Sequence, residues 1–164
     1  MNDEKGQLSG EYMLLVGSLI VVLMISIFMI ANENELNIAM AAAKSGADEG
    51  VASSSSAIYP KETFNEYDDM ESLKHPYSVS IVNVSYNSSG IDENYGKQKI
   101  QFKVYAKASA DYNKKELDSI GDRINYNLRK SVATSFNTTD STNKLYNPVF
   151  SNNYVFTTAN VVWV

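Results

Sequence analysis

The sequence predicts an α+β fold in which one long N-terminal helix precedes a small antiparallel sheet with a single amphipathic helix packed on it. Three observations predict this fold: an uncharged apolar run over residues 12–31, period-two alternation after residue 77, and apolar residues spaced by three and four after residue 113. With 164 residues, the chain is long enough for one modest globular domain and an appendage.

The apolar run over residues 12–31 is long enough to cross a bilayer, which takes roughly 20 residues. A buried core helix is disfavoured, because one small domain cannot surround such a helix on all sides. A cleaved secretory signal is disfavoured as well, because residues 1–6 carry two acids and one base, and no small-residue cleavage site follows the run promptly. The run therefore predicts a membrane span.

The helical pattern continues beyond the apolar run. Apolar and small residues recur at helical spacing, and the four serines from residue 53 followed by Pro60 predict the end. We expect one helix from about residue 8 to about residue 57, roughly 75 Å long at 1.5 Å per residue. Its small side chains should allow close approach of another element; they are Ala39, Ala42, Ala43, Gly46 and Gly50.

Two strands are predicted next. Residues 77–86 are rich in β-branched and aromatic side chains, and their alternation changes phase between Ile81 and Val82, which indicates a bulge. Residues 87–96 are predicted to form a turn-rich loop. Residues 99–107 alternate without a break, so an antiparallel pair is expected. The apolar face of this second strand consists of Ile100, Phe102, Val104 and Ala106.

A capping arrangement predicts the second helix. Asn113 stands three residues before Glu116, as in a capping box, and apolar residues follow at helical spacing. These residues are Leu117, Ile120, Ile124, Leu128 and Val132. Residues 137–153 are predicted to be mostly loop. Residues 154–164 should form one or two strands, paired in the sheet or docked on the long helix, because an apolar end free in water would be adhesive.

Several function classes are excluded by composition. A net charge of −5 without a basic stripe argues against nucleic acid as a partner. There is no cysteine, and His75 is the only histidine, so neither a zinc site nor a serine triad is expected. The acidic stretch 61–76 lacks EF-hand spacing. The sequence therefore predicts no catalytic residues, no metal and no cofactor, and we expect a protein that is not an enzyme.

A short motif stands directly before the apolar run. Gln7, Ser9, Glu11 and Tyr12 follow the pair Lys5-Gly6. These residues resemble the class III signal peptide of archaeal type IV pilin-like proteins, in the version written Gln-x-Ser-x-Glu-Tyr. The resemblance covers roughly the first third of the chain, and no specific motif is recognised in the remainder.

The resemblance implies a precursor of a structural filament subunit. A prepilin peptidase would cut between Gly6 and Gln7, removing the leader 1–6 and retaining the assembly helix 7–57 ahead of an extracellular domain 58–164. Further implied partners are a pilus assembly ATPase, membrane platform proteins and other copies of this chain in a helical polymer. The protein would lie in the cell membrane first and then in a cell-surface filament used for attachment.

The resemblance also assigns a role to Glu11. In pilins, the acidic residue at this place is thought to meet the N-terminal amine of a neighbouring subunit. A carboxylate inside a dry helical bundle must be paired, or its burial is prohibitive. A pairing that forms only at one axial offset would set the register between subunits.

Alternatives of other classes stay open. The chain could be a membrane-anchored extracellular binding protein that uses the same export route, or a low-abundance minor pilin; archaellins rank lower, because their apolar segment begins differently. Three Asn-x-Ser/Thr sequons are candidate N-glycosylation sites, at Asn83, Asn87 and Asn137. Asn87 and Asn137 are expected in loops and are favoured over Asn83, which is expected in a strand.

Overall fold

A computed structural model describes residues 3–52, 78–109 and 111–164, with side chains described from Gly10 onward. It divides into two compact units, Met1–Leu36 and Asn37–Val164, the second of which we call the globular unit. The predicted α+β class is confirmed. Its elements are α1 (Asp3–Ala52), β1 (Val79–Asp92), β2 (Lys97–Ala108), α2 (Lys114–Ser135), a 3-10 turn (Thr139–Ser141), β3 (Val149–Phe150), β4 (Tyr154–Thr158) and β5 (Val162–Trp163).

The long N-terminal helix is confirmed through Ala52, but it begins at Asp3, before the predicted start near residue 8. Its predicted last turn, residues 53–57, lies outside the described residues. The same holds for the acidic stretch 61–76, which includes His75.

β1 and β2 form the predicted antiparallel pair. The predicted bulge is confirmed, because the register shifts between Ile81 and Asn83. The predicted start of the loop at residue 87 is wrong, because β1 continues to Asp92. A second register shift between Ser88 and Ile91 explains this: Gly90, at φ 83°, is accommodated there without ending the strand.

The sheet is mixed and not antiparallel throughout. Its strand order is β1-β2-β4-β3, and β5 also pairs with β2. Both β4 and β5 run parallel to β2. The expectation of a purely antiparallel sheet fails here because α2 lies between β2 and β4 in the chain, and a helical crossover is the usual way to join parallel strands.

The end of the described chain is paired in the sheet, as predicted. Val162 and Trp163 lie opposite β2, and the Val164 N–H donates to the Ala106 carbonyl at 2.9 Å. The stretch 137–153 is mostly loop, as expected, apart from the 3-10 turn and the short β3. β3 pairs antiparallel with β4.

The core of the globular unit combines the predicted apolar faces. The four inward side chains of β2 are at most 1% exposed. In α2, the predicted capping box is present, with the Glu116 N–H donating to Asn113 Oδ1 at 3.0 Å. The apolar side chains of α2 that are buried are Ile120, Ile124, Leu128 and Val132. Leu117 is half-buried.

Candidate functional site

The apolar segment of α1, residues 12–31, has no covering within its own unit. Its large exposed side chains range from Ile20 at 51% to Leu14 at 76% of their surface. Its most apolar 18-residue window has a mean hydropathy of 2.9, and none of that window is buried. Among the described residues, α1 is the one helix long and apolar enough to cross a membrane, which is compatible with an anchor or a signal sequence.

The two serine side chains of this segment are satisfied within the helix. Ser18 Oγ donates to the Leu15 carbonyl at 2.8 Å, and Ser26 Oγ donates to the Val22 carbonyl at 2.9 Å. A hydroxyl that donates to a carbonyl of its own helix leaves no unsatisfied hydrogen-bond donor facing hydrocarbon. Neither serine therefore needs a polar partner in a lipid phase or a dry helical bundle.

The later part of α1, within the globular unit, is buried through its small side chains. Ala39, Ala43 and Ala47 are each 0% exposed. The element that approaches the glycines is α2. A Cβ built on Gly46 would lie 2.6 Å from the Asn127 carbonyl oxygen, and one built on Gly50 would lie 2.8 Å from Ile124 Cα. The predicted close approach is confirmed, and it is an approach of two helix backbones.

A cleft of about 380 Å³ lies on the other side of α2. We call it the α2 cleft. Helix α2 contributes Asp118, Gly121 and Asp122 to one wall. The C-terminal segment contributes Asn160, Val161 and Trp163 to the other. The distance between the walls is short at Gly121, where a Cβ would stand 3.4 Å from Val161.

Asn125 lines the α2 cleft and has an unpaired acceptor. Its Nδ2 donates to the Ala159 carbonyl at 2.9 Å, which fixes the orientation of the amide. Asn125 is only 5% exposed, and its Oδ1 is shielded from bulk water. This oxygen accepts no hydrogen bond from the described residues. An acceptor left in this state costs about 1–3 kcal/mol.

Arg129 interacts electrostatically with Asp122, one of the residues that line the cleft. Arg129 donates from Nε to the Leu145 carbonyl at 3.0 Å and from an Nη to Thr158 Oγ1 at 2.5 Å. Burial lowers the pKa of Arg129, while Asp122 acts against this shift. Much of Asp122 is exposed, but the partial burial of its carboxyl raises its pKa; Arg129 opposes that change and Asp118 adds to it.

The raised pKa of Asp122 gives a testable dependence of stability on pH. The folded state binds the Asp122 proton more tightly than the unfolded state, whose pKa stays near the ordinary 3.8. The contribution of protonated Asp122 to the free energy of unfolding is therefore full below pH 3.8. It is lost as the pH rises through the pKa that Asp122 has in the folded state. Asp122→Asn should raise the Tm at pH 7, and the difference should vanish in acid.

Thermal unfolding across this pH range measures the effect. Asp140→Asn, on the exposed 3-10 turn, is the control for loss of one negative charge. An Asp122→Asn variant that melts below the wild type at pH 7 would show that the attraction to Arg129 outweighs the cost of burial.

The residues predicted from the leader motif are only partly described. Glu11 and Tyr12 are exposed on α1. The backbone is helical at Lys5, Gly6, Gln7 and Ser9, but their side chains lie outside the described residues.

The candidate glycosylation sites are all exposed. Asn83 lies in β1, as predicted. Asn87 also lies in β1 and not in a loop, because the strand continues past the second bulge. Asn137 follows α2 at φ 54°, in the predicted loop. Asn137 is thus the one sequon whose loop placement is confirmed.

The α2 cleft was not foreseen from sequence. Asp118, Asp122 and Asn125 follow the helical period along one side of α2, but nothing local shows that Trp163 faces them. The only sign of this cleft in the sequence is a lone tryptophan beside a predicted strand end.

No protein-family model, curated protein or solved structure matches this chain.

Proposed function

We propose that this chain is the precursor of a pilin, the structural subunit of an archaeal type IV pilus-like filament that attaches cells to surfaces. One observation carries the proposal. α1 is a single helix whose residues 12–31 have no cover in their own unit, whereas Ala39, Ala43 and Ala47 further along are fully buried in the globular unit. Such a helix offers an apolar surface for a lipid phase or for other copies of itself.

The proposed mechanism is assembly without chemical turnover. In the membrane, lipid gives the apolar segment no hydrophobic drive to associate. Outside the membrane, the same side chains would face water, and burial is worth about 25 cal/mol per Å² before ordering costs. Extraction by an assembly ATPase and its membrane platform would therefore turn a lipid-soluble helix into the core of a fibre.

In this proposal, the motif before the apolar segment directs cleavage of the precursor and sets the axial register between subunits. Cleavage between Gly6 and Gln7 by a prepilin peptidase would free an N-terminus close to Glu11. Glu11 is exposed on α1, so it is accessible to a neighbouring subunit. Its carboxylate would pair with that subunit's N-terminal amine, and the cost of leaving it unpaired would select one axial offset.

Replacing Gly6 tests the proposal in cells. Gly6→Phe should block cleavage, because a bulky side chain at this position hinders entry of an extended backbone into a protease site. The variant should stay with the cells at full length. The wild type should appear in sheared filament fractions with Gln7 as its first residue, which mass spectrometry of the intact chain measures.

Gly10→Ala is the matched control. A Cβ at Gly10 meets nothing within 4 Å, and the position lies inside the retained helix. This variant should be processed and assembled like the wild type. Filaments built from chains that retain residues 1–6, or filaments that lack this chain altogether, would contradict the proposal for a structural subunit.

A second candidate function is favoured by the α2 cleft. A membrane-anchored extracellular binding protein would use the apolar segment only as an anchor and would bind its ligand with the globular unit. Recovery of the chain in membranes and never in sheared filaments would favour this function. A minor pilin would instead appear in the filament fraction at low abundance.

A further inference from the structure

We propose that the face of the sheet opposite α2 binds an acidic polysaccharide, whose carboxylates contact a row of four lysines on β2. We call these residues the lysine row; they are Lys97, Lys99, Lys103 and Lys107. The inference names a partner class for attachment and rests on the proposed function for its biological setting. The binding itself is a property of the globular unit.

The lysine row is produced by the alternation of β2. Successive side chains of a strand point to opposite faces, and the inward side chains of β2, at even-numbered positions from Ile100 to Ala106, are at most 1% exposed. The four lysines stand at odd-numbered positions, so they share the outer face. Lys103 and Lys107 are exposed there, and Lys97 and Lys99 are half-buried. Uncharged residues separate the lysines in the sequence, so the row forms only in the folded strand.

The charge of this face is opposite to that of the chain. The chain has a net charge of −5, yet Asp92 is the only acid in the five described strands. Asp92 Oδ2 lies 3.7 Å from Lys99 Nζ. Within the described part of the chain, no acid pairs with the other three lysines of the row. The face therefore carries an excess of positive charge, which attracts an anionic partner.

The lysines lie along a line and do not surround a pocket. Lys107 is ten residues from Lys97, which corresponds to about 33 Å of strand. Lys99, Lys103 and Lys107 follow one another at intervals of about 13 Å. A small anion could contact two of these ammonium groups at most, whereas a linear polymer with repeated charges can contact the whole row. The geometry therefore favours a polyanion as the partner.

The groups beside the row favour a polysaccharide over a nucleic acid. Single-stranded nucleic acids bind by stacking their bases on aromatic rings. Here Lys103 Nζ lies over the Tyr105 ring, 5.4 Å from its centroid, and Lys97 Nζ lies over the Phe150 ring at 5.9 Å. Both rings are thus already covered by ammonium groups. The uncharged polar side chains of this face can hydrogen-bond to sugar hydroxyls, and they include Ser85 and Gln101.

The lysine row faces away from the helices. At the end of α2, Phe136 stacks on Phe156 at 5.7 Å between ring centroids, and Phe156 stacks on the inward Phe102 at 5.6 Å. α2 therefore covers the inner face of the sheet, and α1 approaches α2 at Gly46 and Gly50. In a fibre built around α1, the row would lie on the outside, where it can contact a surface.

Binding by the unassembled chain tests the inference. The full chain is held in an uncharged detergent and is produced without glycosylation, because Asn83 and Asn87 share the outer face. Its titration into a fluorescein-labelled oligogalacturonate should raise the anisotropy saturably, and added NaCl should weaken the Kd. Dextran, a neutral polymer, should not compete. Lys103→Gln combined with Lys107→Gln should weaken the Kd about tenfold.

Lys114→Gln combined with Lys130→Gln is the matched control. Both lysines are exposed on α2, across the sheet from the row, and the change in net charge is the same. The Kd of this control should stay within about twofold of the wild type, and thermal unfolding checks that both double variants are folded. An equal loss in the two would overturn the proposal, because binding would then follow net charge alone. Tighter binding of a DNA oligonucleotide, or no saturable response to oligogalacturonate, would also overturn it.

Carbodiimide cross-linking tests the other anionic candidate, which is the acidic stretch 61–76 of this chain. The reagent joins lysines to carboxylates that lie against them. Cross-links from Lys103 or Lys107 to this stretch would overturn the proposal, because the chain itself would then occupy the row. The titration does not require filaments. Its failure would therefore leave the proposed pilin function standing, and absence of the chain from filaments would leave the titration valid.

Discussion

Gly46→Leu is expected to destabilise the globular unit by about 4 kcal/mol or more. At this position the first added carbon already meets fixed atoms. A Cβ would stand 2.6 Å from the Asn127 carbonyl oxygen and 2.8 Å from Leu128 Cα, and both are backbone atoms of α2. Neither can move aside as a side chain would, so α1 and α2 must separate.

The measurement is thermal or chemical unfolding of the full chain in detergent, followed by near-UV circular dichroism. Gly17→Leu is the matched control, because a Cβ at Gly17 meets nothing within 4 Å and the position lies on the same helix. The control should unfold like the wild type, within about 0.5 kcal/mol. Equal stability of the two variants would mean that α1 does not pack closely on α2 in solution.

Phe156→Ala should cost about 3–5 kcal/mol of unfolding free energy. Phe156 lies in β4, is 1% exposed, and stacks on Phe102 at 5.6 Å and on Phe136 at 5.7 Å between ring centroids. It therefore joins β2, β4 and the end of α2 in one aromatic cluster. Truncation removes the middle ring, and the two outer rings lose their shared partner.

Urea unfolding measures this loss. Ile91→Ala is the control, because Ile91 is 74% exposed at the end of β1 and should change stability by less than about 0.5 kcal/mol. Phe156→Leu should fall between the two, since it keeps part of the volume. A Phe156→Ala variant as stable as the Ile91 control would place Phe156 outside the core.

Local patterns predicted the elements well. The Asn113–Glu116 capping box and the alternation of β2 are properties of a few neighbouring residues, and each is found as expected. The phase change after Ile81 located a bulge for the same reason. Apolar length alone indicated the uncovered segment of α1, because no partner is needed to recognise it.

Three features that depend on distant residues were not predicted correctly. The parallel pairing of β2 with β4 follows from the path of the chain through α2, which no local pattern records. Asn87 was placed in a loop because turn-forming residues surround it, yet pairing with β2 keeps it in a strand. The α2 cleft joins residues of α2 to Trp163, far along the chain, so only the folded structure brings them together.

The pairing of β2 with β4 has a consequence for biosynthesis. Gln98 pairs with Tyr154, and all of α2 lies between them, so β2 has no partner on that edge until α2 and β4 have left the ribosome. The apolar segment of α1 emerges long before. Any membrane or partner that takes up this segment during synthesis would therefore meet the globular unit while it is still an open polypeptide.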